Sequence, residues 1–149
     1  MKLIKSVSQI SLGIFLGSAG LSHLGSRRTE FQAQVPTWLP FNPDFVVIAS
    51  GIVEIVLGLL LIAFAIVSFK RIRTYIGWIT AIFFIAIFPG NISQYLNGID
   101  AFGLDSDRER AIRLLFQPVL VLWALWSTGA WQEYRLRARR DSNPKPSDP

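Results

Sequence analysis

The chain has 149 residues, 51% hydrophobic and only 17% charged, with a mean hydropathy of +0.40, which is short for two domains and too apolar for an ordinary soluble one. Its net charge of +5 and pI near 10.1 do not point to nucleic acid, because the basic residues fall between long apolar runs and do not line one polar face. The lack of cysteine excludes disulfides, thiolate metal sites and electron relay through a thiol pair on this chain, and a single histidine does not make an imidazole metal centre.

Four apolar stretches, residues 4–24, 45–69, 75–96 and 111–131, each approach the roughly 20 residues that a helix needs to cross the hydrocarbon layer. They predict an all-α membrane protein, a four-helix transmembrane bundle occupying residues 1–131. The first stretch follows Lys2 and Lys5 and contains Gly17-Ser18-Ala19-Gly20, so a cleaved secretory signal is an alternative. Its apolar run is long for a signal core and ends at His23, which favours a span. Gly13, Gly17 and Gly20 place small residues where another helix could approach closely.

The loop from Gly25 to Pro43 is polar at first and then carries Val35-Pro36-Thr37-Trp38-Leu39-Pro40, a composition suited to the membrane interface. In the second span the only charge is Glu54, about 14 Å below the outer boundary by the helical rise. An isolated carboxylate near the midplane either takes up a proton or finds a cation or a hydrogen-bond donor, and His23 and Arg113 approach from the same outer side. Gly51 and Gly58 flank Glu54 on one helix face.

The third span carries Pro89, Asn91 and Gln94, and the fourth carries Arg113, Gln117 and Pro118. Both prolines lie about 10 Å from the outer boundary and are expected to break their helices, freeing the carbonyls of Ile85 and Leu114 for neighbouring side chains. Asn91, Gln94 and Gln117 are available to meet them. Before the fourth span, Ser106 and Glu109 have capping-box spacing. Trp38, Trp78 and Trp131 suit the membrane interfaces, whereas Trp123 and Trp126 lie deeper and suit packing.

Residues 132–149 are basic and then rich in Pro, Ser and Asp, which predicts a disordered tail whose Arg135, Arg137, Arg139 and Arg140 can meet anionic headgroups. Ten Lys and Arg residues lie in the N-terminus, the Lys70–Arg73 turn and the tail, against five on the opposite side. That imbalance predicts both termini in the cytoplasm. Glu54 and His23 are therefore candidate catalytic, proton-handling residues, with Asn91, Gln94, Arg113 and Gln117 as binding residues. The competing reading is a buried polar network that only fixes helix register.

The order Gly20-Leu21-Ser22-His23, Val35-Pro36-Thr37-Trp38-Leu39-Pro40, Ser50-Gly51-Ile52-Val53-Glu54-Ile55-Val56-Leu57-Gly58 and Phe88-Pro89-Gly90-Asn91-Ile92 resembles the DoxX family of small bacterial integral membrane proteins. Leu24 stands where members typically carry an aromatic, and Gly90 where many carry alanine. The resemblance implies a multi-pass protein of the bacterial plasma (inner) membrane. For some relatives it implies a redox-associated subunit that works with a partner protein and a quinone, and it puts weight on His23, Glu54 and Asn91. A small-solute transporter and a non-catalytic membrane scaffold are the alternatives, and self-association is compatible with any of the three.

Overall fold

The long apolar runs leave the backbone no partner in lipid except its own carbonyls, so they fold as helices. The computed structural model describes residues 2–67 and 69–142, and has six helices in that part: α1 (Lys2–Leu24), α2 (Arg28–Gln34), α3 (Pro43–Val67), α4 (Lys70–Leu96), α5 (Asp107–Thr128) and α6 (Ala130–Asp141). Four of these, α1, α3, α4 and α5, are long and apolar enough to cross a membrane, and among the described residues there is no strand. The protein is a multi-pass, four-helix membrane bundle.

The spans pack as two close pairs, α1 with α3 and α4 with α5, which meet each other more sparsely. Glycine explains the first pair. A Cβ on Gly58 would lie 2.6 Å from the Gly13 carbonyl oxygen and 2.9 Å from the Gly17 nitrogen, and one on Gly20 would lie 2.5 Å from the Gly51 carbonyl oxygen. These are backbone atoms, so only glycine permits the approach. In the second pair Gly77 sits directly under the Thr128 side chain.

Between the pairs, the middle and the half nearer the two termini, labelled inner by its place in the bundle with the opposite half labelled outer, are filled by Leu12, Leu16, Leu57, Leu61, Ile76 and Phe84 with their neighbours. Beneath this layer Gln9, fully buried, donates to the Leu61 carbonyl at 2.7 Å and accepts from Arg73 Nε at 3.0 Å. Arg73 thus reaches into the bundle from its turn. Trp123, one of the deeper indoles, does more than pack: its Nε1 donates to Ser8 Oγ at 2.7 Å.

Three expectations change. First, α4 and α5 run unbroken through Pro89 and Pro118, because a proline removes one hydrogen bond while those on either side persist. Second, α4 begins at Lys70, several residues before its apolar stretch, whereas α5 begins at Asp107 as the capping-box spacing of Ser106 and Glu109 leads one to expect. The early start of α5 is set by Ser106, which forms the capping box with Glu109. Third, the expected disordered tail begins as a helix: Gly129, at φ +79°, turns the chain out of α5, and α6 continues to Asp141. Tyr134 supplies the apolar contact that ordering needs, packing edge-on against Trp78 at 6.0 Å and stacking on Trp131 at 5.9 Å. Residues 143–149 of that tail lie outside the described residues.

The glycine contacts make a differential prediction. Gly58→Ala must push α1 and α3 apart and should cost about 1–3 kcal/mol, whereas Gly17→Ala, with nothing within 4 Å of its Cβ, should stay within about 0.5 kcal/mol. Thermal unfolding of the two variants in detergent checks this; equal melting temperatures would refute the close α1–α3 contact.

Candidate functional site

In the outer half the two helix pairs do not fill the space between them. A cavity of about 530 Å³ remains, with apolar walls from Phe15, Leu16, Phe84 and Leu120 among others and a polar lining that includes His23, Ser50, Glu54, Asn91, Arg113 and Gln117. Four spans thus contribute to one site.

One side of it is built on the α1–α3 pair. Glu54, 3% exposed, presents its Oε2 3.4 Å from His23 Nδ1, and His23 Nδ1 also lies 3.1 Å from Ser50 Oγ. Ser50 Oγ donates to the Val47 carbonyl at 3.0 Å. With the serine proton placed there, the hydroxyl oxygen is free to accept from the imidazole, the arrangement in which the histidine carries its proton on Nδ1. Phe31 covers the imidazole edge-on, with ring centroids 3.5 Å apart.

The other side is built on the α4–α5 pair and starts from Arg113. Its Nε donates to Asn91 Oδ1 at 3.2 Å, and its Nη2 donates to Gln34 Oε1 at 3.4 Å. Both amides must therefore turn their oxygens toward the guanidinium and donate outward. Asn91 Nδ2 donates to Gln117 Oε1 at 3.0 Å, and Gln117 Nε2 donates to the Phe84 carbonyl. In the opposite direction Gln34 Nε2 donates to Gln94 Oε1, and Gln94 Nε2 donates to the carbonyls of Ile99 and Ala101 at 3.3 and 3.2 Å. Two amide relays thus radiate from one cation and end on backbone carbonyls.

The outer loops close over this arrangement. Asp44, in the first turn of α3, accepts both Arg28 Nε at 2.6 Å and Arg28 Nη2 at 2.5 Å, as well as Gln32 Nε2 at 2.5 Å, which moors α2. Glu30 accepts from the Phe102 backbone N–H. Phe102 has a φ of +61°, a left-handed conformation that costs a bulky residue on the order of 1–3 kcal/mol. It is held there between Phe31, edge-on at 4.6 Å, and the Arg113 guanidinium, 4.6 Å from its ring centre.

Of the residues singled out in the sequence, His23, Glu54, Asn91, Arg113, Gln117 and Pro89 line the cavity, and Gln94 and Pro118 do not. Gln94, 1% exposed, is a strut behind the wall. The expected pairing of Glu54 divides: His23 stands beside it, whereas Arg113 is engaged by amides and an aromatic ring and forms no ion pair with it among the described residues. The carbonyl rescued near Pro89 is that of Phe84, not Ile85. Ser50, Gln34, Phe31 and Phe102 were not anticipated. Ser50 lies one helical turn before Glu54 and could have been found from that spacing; Phe31 and Gln34 sit on the short helix α2 and Phe102 in the loop before α5, outside the spans, where polar and aromatic residues are ordinary.

The architecture defines the class: a multi-pass membrane protein with a mixed polar and apolar cavity between two helix pairs, of the size that takes a small molecule. The family model described as a domain of unknown function (DUF8561) matches residues 12–128, and the chain belongs to that family. The match covers every residue lining the cavity and stops before α6. No curated protein and no solved structure matches the chain.

Asn91 is the link on which the inner relay depends. Asn91→Leu would leave Arg113 Nε and Gln117 Oε1 without partners, and each orphaned buried group costs about 1–3 kcal/mol. A drop in melting temperature is expected for the purified variant in detergent, and an unchanged one would mean the relay carries no stability.

Proposed function

We propose that the protein is a DoxX-like, redox-associated subunit of a bacterial plasma membrane that binds a quinone or a similar small molecule in the outer-half cavity. The observation that carries this reading is Glu54 Oε2. It is buried, has no hydrogen-bond partner among the described residues, and belongs to a side chain in the cavity wall. Thr80 Oγ1 and Arg110 Nε share that condition, but neither residue lines the cavity. A buried oxygen left open next to a cavity suits a ligand that brings its own donor or receives a proton there.

A quinone would supply two carbonyl oxygens on a flat apolar ring and accept electrons when bound. The residues fit that shape. Arg113 and Asn91 can donate to one oxygen while His23 and Glu54 manage the proton at the other, and Phe15, Leu16 and Phe84 can enclose the ring. Because the chain has no thiol, electrons would come from a partner protein or directly from the donor. Transport of a solute is supported less, since the Leu57, Leu61 and Phe84 layer and the Gln9–Arg73 bonds fill the inner half. The resemblance to DoxX, carried by His23, Glu54 and Asn91, supports the redox reading from a separate direction.

The test is titration of a short-chain benzoquinone onto purified protein in nanodiscs, followed by tryptophan fluorescence. Glu54→Gln keeps the side-chain shape and should weaken binding at least tenfold without lowering the melting temperature. If the quinone fails to bind, with and without co-purifying proteins, or if the variant binds equally well, this reading is wrong.

We further propose that both termini face the cytoplasm, as the distribution of Lys and Arg favours. The cysteine-free sequence suits a direct assay. A single Ser142→Cys variant should react with a membrane-impermeant maleimide only after the cells are lysed, whereas labelling of intact cells would invert the topology.

A further inference from the structure

A second cavity, of about 360 Å³, adjoins the first and is lined by Phe15, Leu104, Ile112 and Phe116 together with Glu109, and by five residues that line both cavities: Phe15 again, Asn91, Arg113, Gln117 and Leu120. It follows one face of α5. Glu109, Ile112, Arg113, Phe116, Gln117 and Leu120 recur at three- and four-residue intervals over about 16 Å of helix rise, close to the roughly 15 Å depth of one hydrocarbon leaflet. Across the seam stands Phe15 of α1, with its ring 6.5 Å from that of Trp123. Phe15, Ile112 and Phe116 are 47%, 47% and 59% exposed, on helices whose outer surface faces lipid. The second cavity is therefore a slot between α1 and α5 that opens sideways into the bilayer and joins the polar cavity at Arg113.

We infer that the ligand carries a long hydrocarbon tail, which lies in the α1–α5 slot while its polar head occupies the larger cavity, and that it enters laterally from the outer leaflet. This rests on the cavity reading above and narrows its ligand to a lipid-soluble class. Two features favour this path over entry from water. The aqueous side is covered by Phe31 and Phe102, the latter held in a strained conformation by Glu30, Arg113 and Phe31, and α2 is moored to α3 through Asp44. The slot, by contrast, is closed by no hydrogen bond between α1 and α5 along the Ile112–Leu120 face among the described residues; the Trp123–Ser8 bond that joins these helices lies deeper. Below Arg113 its walls are Phe15, Phe116 and Leu120 with Gln117, whose amide is already engaged by Asn91 and the Phe84 carbonyl, so a mainly apolar surface is left for a tail, and the polar groups gather where the head would sit.

The experiment compares two probes on the unmodified protein and on Ile112→Trp, which fills the slot and is not part of the larger cavity's lining. The probes are a benzoquinone with a long saturated tail and the same ring bearing only methyl groups. The tailed probe should bind the unmodified protein at least tenfold more tightly, and Ile112→Trp should abolish that advantage while leaving the methyl-only probe unaffected. Equal affinities for the two probes, or a parallel loss of both in a variant with an unchanged melting temperature, would overturn the slot while the cavity reading stands. Failure of both probes to bind the unmodified protein overturns the cavity reading itself. Independently of any variant, a diazirine at the end of the tail should label peptides of α1 and α5 around Phe15 and Phe116. Labelling confined to α3 and α4 around Val46 and Ala86 would refute the path.

Discussion

A guanidinium has five N–H groups and nothing that accepts, and the outer half of this bundle is arranged around that fact. Arg113 can be neighboured only by acceptors, so Asn91 and Gln34 must turn their oxygens toward it. Each then has a donor to place farther out, on Gln117 and Gln94, and those in turn end on the carbonyls of Phe84, Ile99 and Ala101. One cation thus sets the orientation of four amides on three separate elements, α2, α4 and α5. In a low-dielectric interior such aligned bonds strengthen one another and a single reversed amide is costly. The relay therefore fixes how α2, α4 and the loop before α5 sit, and with them the roof and one wall of the cavity.

The opposite wall is placed by an absence of side chains. The Gly13–Gly58 and Gly20–Gly51 contacts draw α1 onto α3 so closely that backbone meets backbone. Close approach within each pair leaves the space between the pairs to be filled by larger residues, and the fill is uneven. The inner half receives Leu12, Leu57, Leu61 and Phe84, whereas the outer half receives polar side chains that bond to one another along the walls. The cavity is the volume those walls leave, and it forms where His23, Glu54 and Arg113 were already placed by the order of the spans.

Much of this was legible in the residues because lipid makes polar groups conspicuous. Glu54, Asn91, Arg113 and Gln117 stand out in apolar spans, and the depth count that put Glu54 about 14 Å below the outer boundary, with His23 and Arg113 approaching from that same side, needed only the helical rise. Which of them touch was not legible. That depends on how each helix is rotated, and the rotation here turns Arg113 toward Gln34 and Phe102 and away from Glu54. Gln34 and Phe102 carried no signal, since outside the apolar spans neither residue has a solvation cost that would mark it. The helix α6 was missed for a related reason: Arg, Glu and Ala are good helix formers, but the contact that orders the segment, Tyr134 on Trp78, joins residues far apart in the chain.

The reading of the site as functional turns on counting protons around Glu54. His23 offers one hydrogen on Nδ1, and Ser50 Oγ at 3.1 Å takes the better share of it, leaving Glu54 Oε2 at 3.4 Å without a bond. Ser50 cannot help, because its own hydrogen goes to the Val47 carbonyl. The buried amides of the bundle are closed off at both ends: Gln9 between Leu61 and Arg73, Gln94 between Gln34 and the Ala101 carbonyl, Gln117 between Asn91 and Phe84, whereas Thr80 Oγ1 and Arg110 Nε, away from the larger cavity, share the open state of Glu54 Oε2. A network serving only to hold helices in register would have closed Glu54 in the same way, because an open buried carboxylate works against the stability such a network exists to provide. Glu54, the one acid lining the larger cavity among the described residues, presents a buried oxygen without a partner, and the space in front of it is large enough to bring one.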